Sequence, residues 1–381
     1  MGFADFHGNR EVVEQLRGML ARDRFPHAVI LSGPEGSGKY TLAQMVAKAM
    51  NCLEFAPPPS QDSGLFATGE TPAPREPDFC GHCKNCMRIA EADALDVRCA
   101  EAIEARENLR ETDKKETRIL IQTHPDVLII PPDPPQMMIK VDQVRHVIGG
   151  IYYRPGEGRR RVYIFTAATF MKEAANSLLK VLEEPPEFAT IFLLAENPGA
   201  LLPTIRSRCV SFALCPLTPE EIERDLAEAH PDWKPAQRTL VAKLSGGAVG
   251  QARSFDLAAY AAARQDALLL MRTAIAADDH SSLFRVTETY RAGADGREKI
   301  DRLLRTLYAL LEDLLMIKSG TPELVRNADV KGELEKLARD ITFDWIALAS
   351  QRVGEVESGM RRNLLRNVSL DAMVAALEIG N

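Results

Sequence analysis

Three features of this chain predict an α/β domain with a parallel sheet, followed by a helical remainder. Short apolar runs alternate with helix-periodic stretches from residue 1 to about 212. A glycine-rich turn, Gly33-Pro-Glu-Gly-Ser-Gly38-Lys39, joins one such run to one such helix. After Cys215-Pro216 the composition shifts and helical periodicity takes over.

The 381 residues suggest two or three domains, and 45% hydrophobic with 27% charged residues is ordinary globular composition. A formal charge of −7 argues against nucleic-acid binding by global electrostatics and leaves room for a local basic surface. No run of eighteen apolar residues occurs, and the first ten residues lack a charged start followed by an apolar signal core. The expectation is a cytoplasmic protein with no membrane partner. An odd count of seven cysteines, four of them in a metal-like arrangement, suits a reducing compartment better than a disulfide framework.

Ala28-Val-Ile-Leu-Ser32 reads as a buried strand and Thr41 to Asn51 as a helix. Glycines between them free backbone N–H groups to surround phosphate oxygens, with Lys39 reaching the β and γ phosphates. Gly33, Gly36, Gly38, Lys39, Tyr40 and Thr41 are therefore the candidate nucleotide-binding set. The residue after the lysine is ordinarily Ser or Thr, whose hydroxyl ligates magnesium; here it is Tyr40. Thr41, one place later, is turned by roughly 100° around the helix. The loop is expected to accommodate ATP or ADP without hydrolysing it.

Hydrolysis needs acidic residues at the C-terminal tip of a central strand, to hold magnesium and polarise water. Arg161-Val-Tyr-Ile-Phe165 is the expected strand, and it ends in Thr166 and Ala167, which do neither. The alternative strands, Asp126-Val-Leu-Ile-Ile130 and Thr190-Ile-Phe-Leu-Leu194, end in no acidic pair.

Two stretches interrupt the alternation. Residues 56–78 are rich in Pro, Gly, Ser and Thr and read as a flexible surface insertion. Residues 88–122 are heavily charged and read as a solvated helical excursion outside the core. Near them, Cys80-Gly-His-Cys83-Lys-Asn-Cys86 offers three thiols at two-residue spacing, which suits tetrahedral zinc. Cys52 is the candidate fourth ligand if the fold brings it close, with His82 the alternative. A closed four-ligand site is structural. Cys99, Cys209 and Cys215 read as packing residues.

At the end of the sheet domain, Thr204-Ile-Arg206-Ser-Arg208-Cys209 carries an arginine with two readings, a salt-bridged surface residue or a finger aimed at a neighbouring subunit's nucleotide. Thr218-Pro-Glu-Glu221 supplies a hydroxyl cap, a proline at the first helical position and a glutamate at the third, so a helix starts there. A small helical segment runs to about Arg253 through the joint Ser245-Gly-Gly-Ala-Val-Gly250. From Ser254 onward five or six helices are expected; Leu303, Leu304, Leu307, Leu310, Leu311, Leu314 and Leu315 form one apolar stripe, and Gly320 can cap its helix.

With these residues in hand, the chain resembles the clamp-loader branch of the AAA+ ATPases over nearly its whole length. The carriers are Arg24-Phe-Pro-His27-Ala28, the cysteine cluster, His124-Pro-Asp126, Ala174-Ala-Asn176-Ser-Leu-Leu-Lys180-Val-Leu-Glu183-Glu184-Pro185-Pro186 and Leu202-Pro-Thr-Ile-Arg-Ser207-Arg208-Cys209. The resemblance implies a AAA+ domain over 1–212 with a zinc module within 52–86, a helical lid over 213–253 and a collar domain over 254–381. It implies Arg208 as the trans-acting finger. It further implies gamma and tau motor subunits, the delta subunit, the sliding clamp and primed DNA as partners within the DNA polymerase III assembly. Motor subunits of the family carry an acidic pair where this chain has Thr166 and Ala167, and a sensor arginine where it has Gly250. Tyr40 is a third departure, and together they imply a non-hydrolysing subunit. Two competing readings stay open: an active motor, and a free-standing zinc-containing regulatory module that binds DNA through Arg154, Arg159, Arg160 and Arg161.

Overall fold

The computed structural model describes residues 2–54, 78–276, 280–291, 296–360 and 364–378. Apart from Asp78, the insertion expected at 56–78 lies outside the described residues. The chain divides into two compact units, Met1–Leu217 with Ala248–Gln251, and Thr218–Gly247 with Ala252–Asn381.

In the first unit the elements run α1 (Arg10–Ala21), β1 (Ala28–Ser32), α2 (Lys39–Asn51), α3 (Lys84–Ala90), α4 (Leu95–Glu107), α5 (Glu111–Glu116), β2 (Ile121–His124), β3 (Val127–Ile130), α6 (Val141–Ile151), β4 (Arg161–Phe165), α7 (Lys172–Glu183), β5 (Ala189–Ala195), α8 (Pro203–Arg206) and β6 (Val210–Ala213). The sheet order is β2-β3-β4-β5-β1-β6. Five strands are parallel, while β2 pairs antiparallel with β3 and makes the sheet mixed, a departure from the expected parallel pattern. The strand alternation sorts side chains to two faces. Val29 and Leu31 of β1 face a core shared with Leu16 of α1 and Met45 and Val46 of α2. Ala28 and Ile30 face the opposite core, with Val144 and Val147 of α6 and Leu178 and Val181 of α7. Helices thus cover both faces, as a parallel sheet requires.

The charged excursion at 88–122 is solvated in its middle and anchored at its ends. No residue of α4 is buried, but Ile89, Ala92, Ile119 and Ile121 are, which corrects the expectation that the segment stays outside the core. Asp133, fully buried, holds the segment down: it pairs with Arg106 of α4 at 2.8 Å and Lys140 at 3.0 Å and accepts from the Ile119 N–H at 3.2 Å. Removing one partner of such a buried pair leaves an uncompensated charge.

In the second unit, α9 (Pro219–Ala229) begins as its residues dictate: the Thr218 hydroxyl accepts from the Glu221 N–H and the Glu221 carboxylate from the Thr218 N–H. Next come α10 (Pro235–Leu244), α11 (Val249–Arg253), whose residues up to Gln251 fold with the first unit, α12 (Leu257–Ala276), α13 (Ser281–Glu288), α14 (Gly296–Lys318), α15 (Lys331–Asp340), α16 (Phe343–Met360) and α17 (Arg366–Leu377). The leucine stripe of α14 is buried except Leu315, which is 36% exposed at the stripe's margin. Gly320, at φ +79°, ends the helix: its N–H donates to Ile317 O and the Thr321 N–H to Met316 O, the hydrogen-bond pair that satisfies terminal carbonyls.

His124 is fully buried in the first unit, and its Nδ1 accepts from the Asp126 N–H at 3.1 Å. Burial lowers its imidazole pKa from the ordinary 6.5, against the pull of the Asp126 carboxylate. Burial would raise the Asp126 carboxyl, but the N–H groups of Gly156, Gly158 and Glu157 outweigh it and hold it low. Both groups bind protons more weakly folded than unfolded, so their stabilisation is complete above the unfolded pKa values and is lost as pH falls. The denaturation midpoint is expected to drop between pH 7 and 5, and His124→Asn, which keeps an acceptor for the Asp126 N–H, to flatten that drop. An unchanged pH dependence in the variant would contradict this origin.

Candidate functional site

The loop between β1 and α2 has the backbone of a phosphate cradle. Gly36 and Gly38 sit at φ +77° and +88°, where L side chains are strained. A Cβ on Gly38 would also stand 2.9 Å from the Phe6 ring. The Lys39 ammonium donates to Gly33 O at 2.7 Å and Pro34 O at 2.6 Å, bonds that a phosphate oxygen would have to replace. Burial lowers its pKa, opposed by the Glu196 and Glu35 carboxylates. The Tyr40 side chain is committed elsewhere: its hydroxyl donates to Ala92 O at 2.6 Å and accepts from Gln44 Nε2 at 2.6 Å, leaving only its backbone N–H for the cradle. Thr41 is exposed on the next turn position of α2.

Strand register puts the tip of β4 level with this loop, since Phe165 pairs with Leu193 of β5 and Ser32 of β1 with Ala195. The residues there are Thr166 and Ala167, so the tip carries no carboxylate. One acid nearby escaped the sequence reading: Glu196, directly after β5, which acts on the Lys39 charge. The signal was available, because the apolar run extends through Ala195 before Glu196. It is a single exposed carboxylate on the neighbouring strand, and does not replace the missing pair.

Gly250, in the stretch Ala248–Gln251 that folds with the first unit, donates its N–H to Gly36 O at 2.9 Å. A Cβ there would lie 2.9 Å from that same oxygen. Any side chain at 250, an arginine included, would therefore displace the cradle's backbone.

Arg208 follows α8, a single turn started by Pro203. Its Nη1 donates to Thr204 O at 2.9 Å and Ser207 Oγ at 3.3 Å, and its Nη2 to Glu183 Oε1 at 2.8 Å. The side chain is 35% exposed. Both arginine readings thus meet in one residue: it is salt-bridged, and it is accessible.

The four candidate zinc ligands come together. Cys52, Cys80, Cys83 and Cys86 are free thiols, and their Sγ atoms lie within 4.8 Å of one another. Sulfurs about 3.8 Å apart surround a zinc with 2.3 Å bonds. The Cys80 N–H donates to Cys52 Sγ, Cys83 N–H to Cys80 Sγ and Cys86 N–H to Cys83 Sγ, while burial pushes the Cys80 and Cys86 thiols up. Burial would raise the Cys83 thiol, but the N–H groups of Cys86 and Leu53 bring it down to about 7. His82 is largely exposed and pairs with Glu54 at 2.8 Å. The donor set fits zinc, with Cys52 in place of His82.

The arginine-rich stretch before β4 serves the fold. Arg159 donates to Met50 O and Ala49 O, the last carbonyls of α2. Arg160 reaches Glu187 O and Asp23, and Arg161 reaches Gly150 O. Arg154 and Arg159 are exposed, while Arg160 and Arg161 are half-buried.

Gly250→Ala is expected to destabilise the protein by about 1–3 kcal/mol, the usual cost of forcing atoms into a packed contact, read as a lower denaturant midpoint. A midpoint unchanged from wild type would show that the cradle yields freely at this point.

Residues 8–218 match the family model described as DNA polymerase III, delta subunit. The chain is 24% identical to DNA polymerase III subunit delta' of Bacillus subtilis over 97% of this chain and 96% of that protein. It is 31% identical to subunit delta' of Pseudomonas aeruginosa over 59% of this chain and 54% of that protein. It is also 28% identical to subunit tau/gamma of Haemophilus influenzae over 88% of this chain, spanning 39% of that longer protein. A match over more than half its length places the chain in the DNA polymerase III delta subunit family, and its first unit is an α/β sheet domain with a glycine-rich loop between β1 and α2, followed by helices.

Proposed function

We propose that this chain is a non-hydrolysing, delta-prime-type subunit of the DNA polymerase III clamp loader, which supplies Arg208 to the ATP site of a neighbouring motor subunit. The carrying observation is the half-buried, solvent-accessible Arg208 guanidinium, bound to Thr204, Ser207 and Glu183, in a chain whose own β4 tip is Thr166 and Ala167. An arginine aimed at a transferring phosphoryl group neutralises charge developing on its oxygens, and its loss costs on the order of 10³ in rate or more. Hydrolysis next door then depends on this subunit being correctly seated.

The remaining parts follow the same reading. Residues 1–212 form the AAA+ domain, 213–253 the lid and 254–381 the collar that holds the chain among gamma or tau subunits and delta. Cys52, Cys80, Cys83 and Cys86 hold a structural zinc; Gly33, Gly36, Gly38, Lys39 and the backbone of Tyr40 and Thr41 cradle ATP or ADP that is not turned over. The sliding clamp and primed DNA are met through the assembled complex in the cytoplasm. Among the described residues no helix is long and apolar enough to cross a membrane.

The tau/gamma relatives favour a second reading, an active motor, which requires ATP turnover by the chain alone. The DNA-binding module is weakened by the internal hydrogen bonds of Arg159, Arg160 and Arg161.

Arg208→Ala is expected to slow primed-DNA-stimulated ATP hydrolysis by the reconstituted complex by on the order of 10³ at the neighbouring site, with assembly intact; undiminished turnover would sink the role. The purified chain is expected to carry one zinc, and Cys86→Ser to lose both the zinc and much of its thermal stability. Full zinc content in Cys86→Ser and Cys52→Ser would contradict the ligand set.

A further inference from the structure

Glu183 ends α7 and is 51% exposed, and it gives Arg208 its one carboxylate partner among the described residues. The two side chains are 25 positions apart in sequence, so their meeting is a product of the fold. Three acceptors engage the guanidinium: Thr204 O and Ser207 Oγ take Nη1, and Glu183 takes Nη2. A guanidinium has five N–H donors. Nε–H and one Nη2–H therefore remain without a partner among the described residues. A pair this open adds little to stability; what it does is restrict a side chain that would otherwise sample many rotamers.

We propose that Glu183 is a positioning residue for Arg208: its carboxylate holds Nη2, so that Nε–H and the second Nη2–H are presented together to an incoming phosphoryl group. The proposal rests on the reading of Arg208 as a trans-acting arginine. Thr204 O and Ser207 Oγ hold only Nη1, the second through a long 3.3 Å bond, so Glu183 is the one contact on the Nη2 side among the described residues. Orientation is where the effect appears, because a misplaced catalytic group costs rate without weakening ground-state binding to the same degree.

The test is steady-state ATP hydrolysis by the reconstituted complex on primed DNA, with wild type, R208A, E183A, E183Q and the R208A/E183A pair. E183A is expected to lower kcat about 10-fold with KM for ATP within about twofold, a fraction of the loss that misplacement can cause. E183Q retains an oxygen that accepts from Nη2 and is expected to recover to within about threefold of wild type, since the bond and not the charge sets the orientation. Adding E183A to R208A is expected to change nothing further. If E183A does not assemble, E183D, whose shorter side chain falls short of Arg208, takes its place. A loss in R208A with E183A at the wild-type rate overturns the positioning role and leaves the arginine role standing. A faster E183A overturns it too, by making Glu183 a competitor for the guanidinium. Wild-type rates in R208A overturn both readings.

Discussion

Much of the first unit depends on how Asn51, at the end of the P-loop helix, satisfies its neighbours. The residue is 1% exposed. Its side-chain oxygen accepts from the Arg159 and Arg160 N–H groups at 2.9 and 3.0 Å, and its carbonyl from Asn85 Nδ2 at 3.0 Å. One residue thus joins the end of α2, the entry to β4 and the start of the cysteine module. Gly158 makes this approach feasible, since a Cβ there would come within 2.2 Å of the Asn51 oxygen. Asp126 closes the same loop from the other side through three N–H groups, and Arg88 and Lys84 of α3 pair with Glu157 at its tip. The four thiols are therefore built into the frame that positions β4.

On this frame the nucleotide chemistry is divided. The cradle keeps its glycines and lysine, but β4 ends without carboxylates, Tyr40 has turned to Ala92 O, and Gly250 lies against Gly36 too closely for a side chain. Tyr40 and Gly250 each make a packing contact at the loop. Arg208 is the opposite case, with spare donors and a single carboxylate steering it.

Local signals in the sequence located what local physics determines. The strand at Ala28–Ser32, the capping box at Thr218, the Gly320 stop and the joint before α11 lie where the residues put them. Cys52 was nominated only on condition that the fold bring it near, and it does. What escaped depended on long-range contacts. Arg159 meets Met50 across 109 positions, so a stretch that reads as a solvated basic loop is a helix cap. Asp133 pairs with Arg106 of the charged excursion, and β2 pairs antiparallel with the edge of β3. Leu315 has the right periodicity but sits at the margin of its stripe, 36% exposed.

The central claim is that this chain controls hydrolysis without performing it. The direct measurement is primed-DNA-stimulated ATP turnover and clamp loading by the complex assembled with and without the chain, alongside the chain alone. Strong dependence on the chain's presence and no turnover from the chain by itself are expected. Turnover by the isolated chain would contradict it and make the protein a motor in its own right.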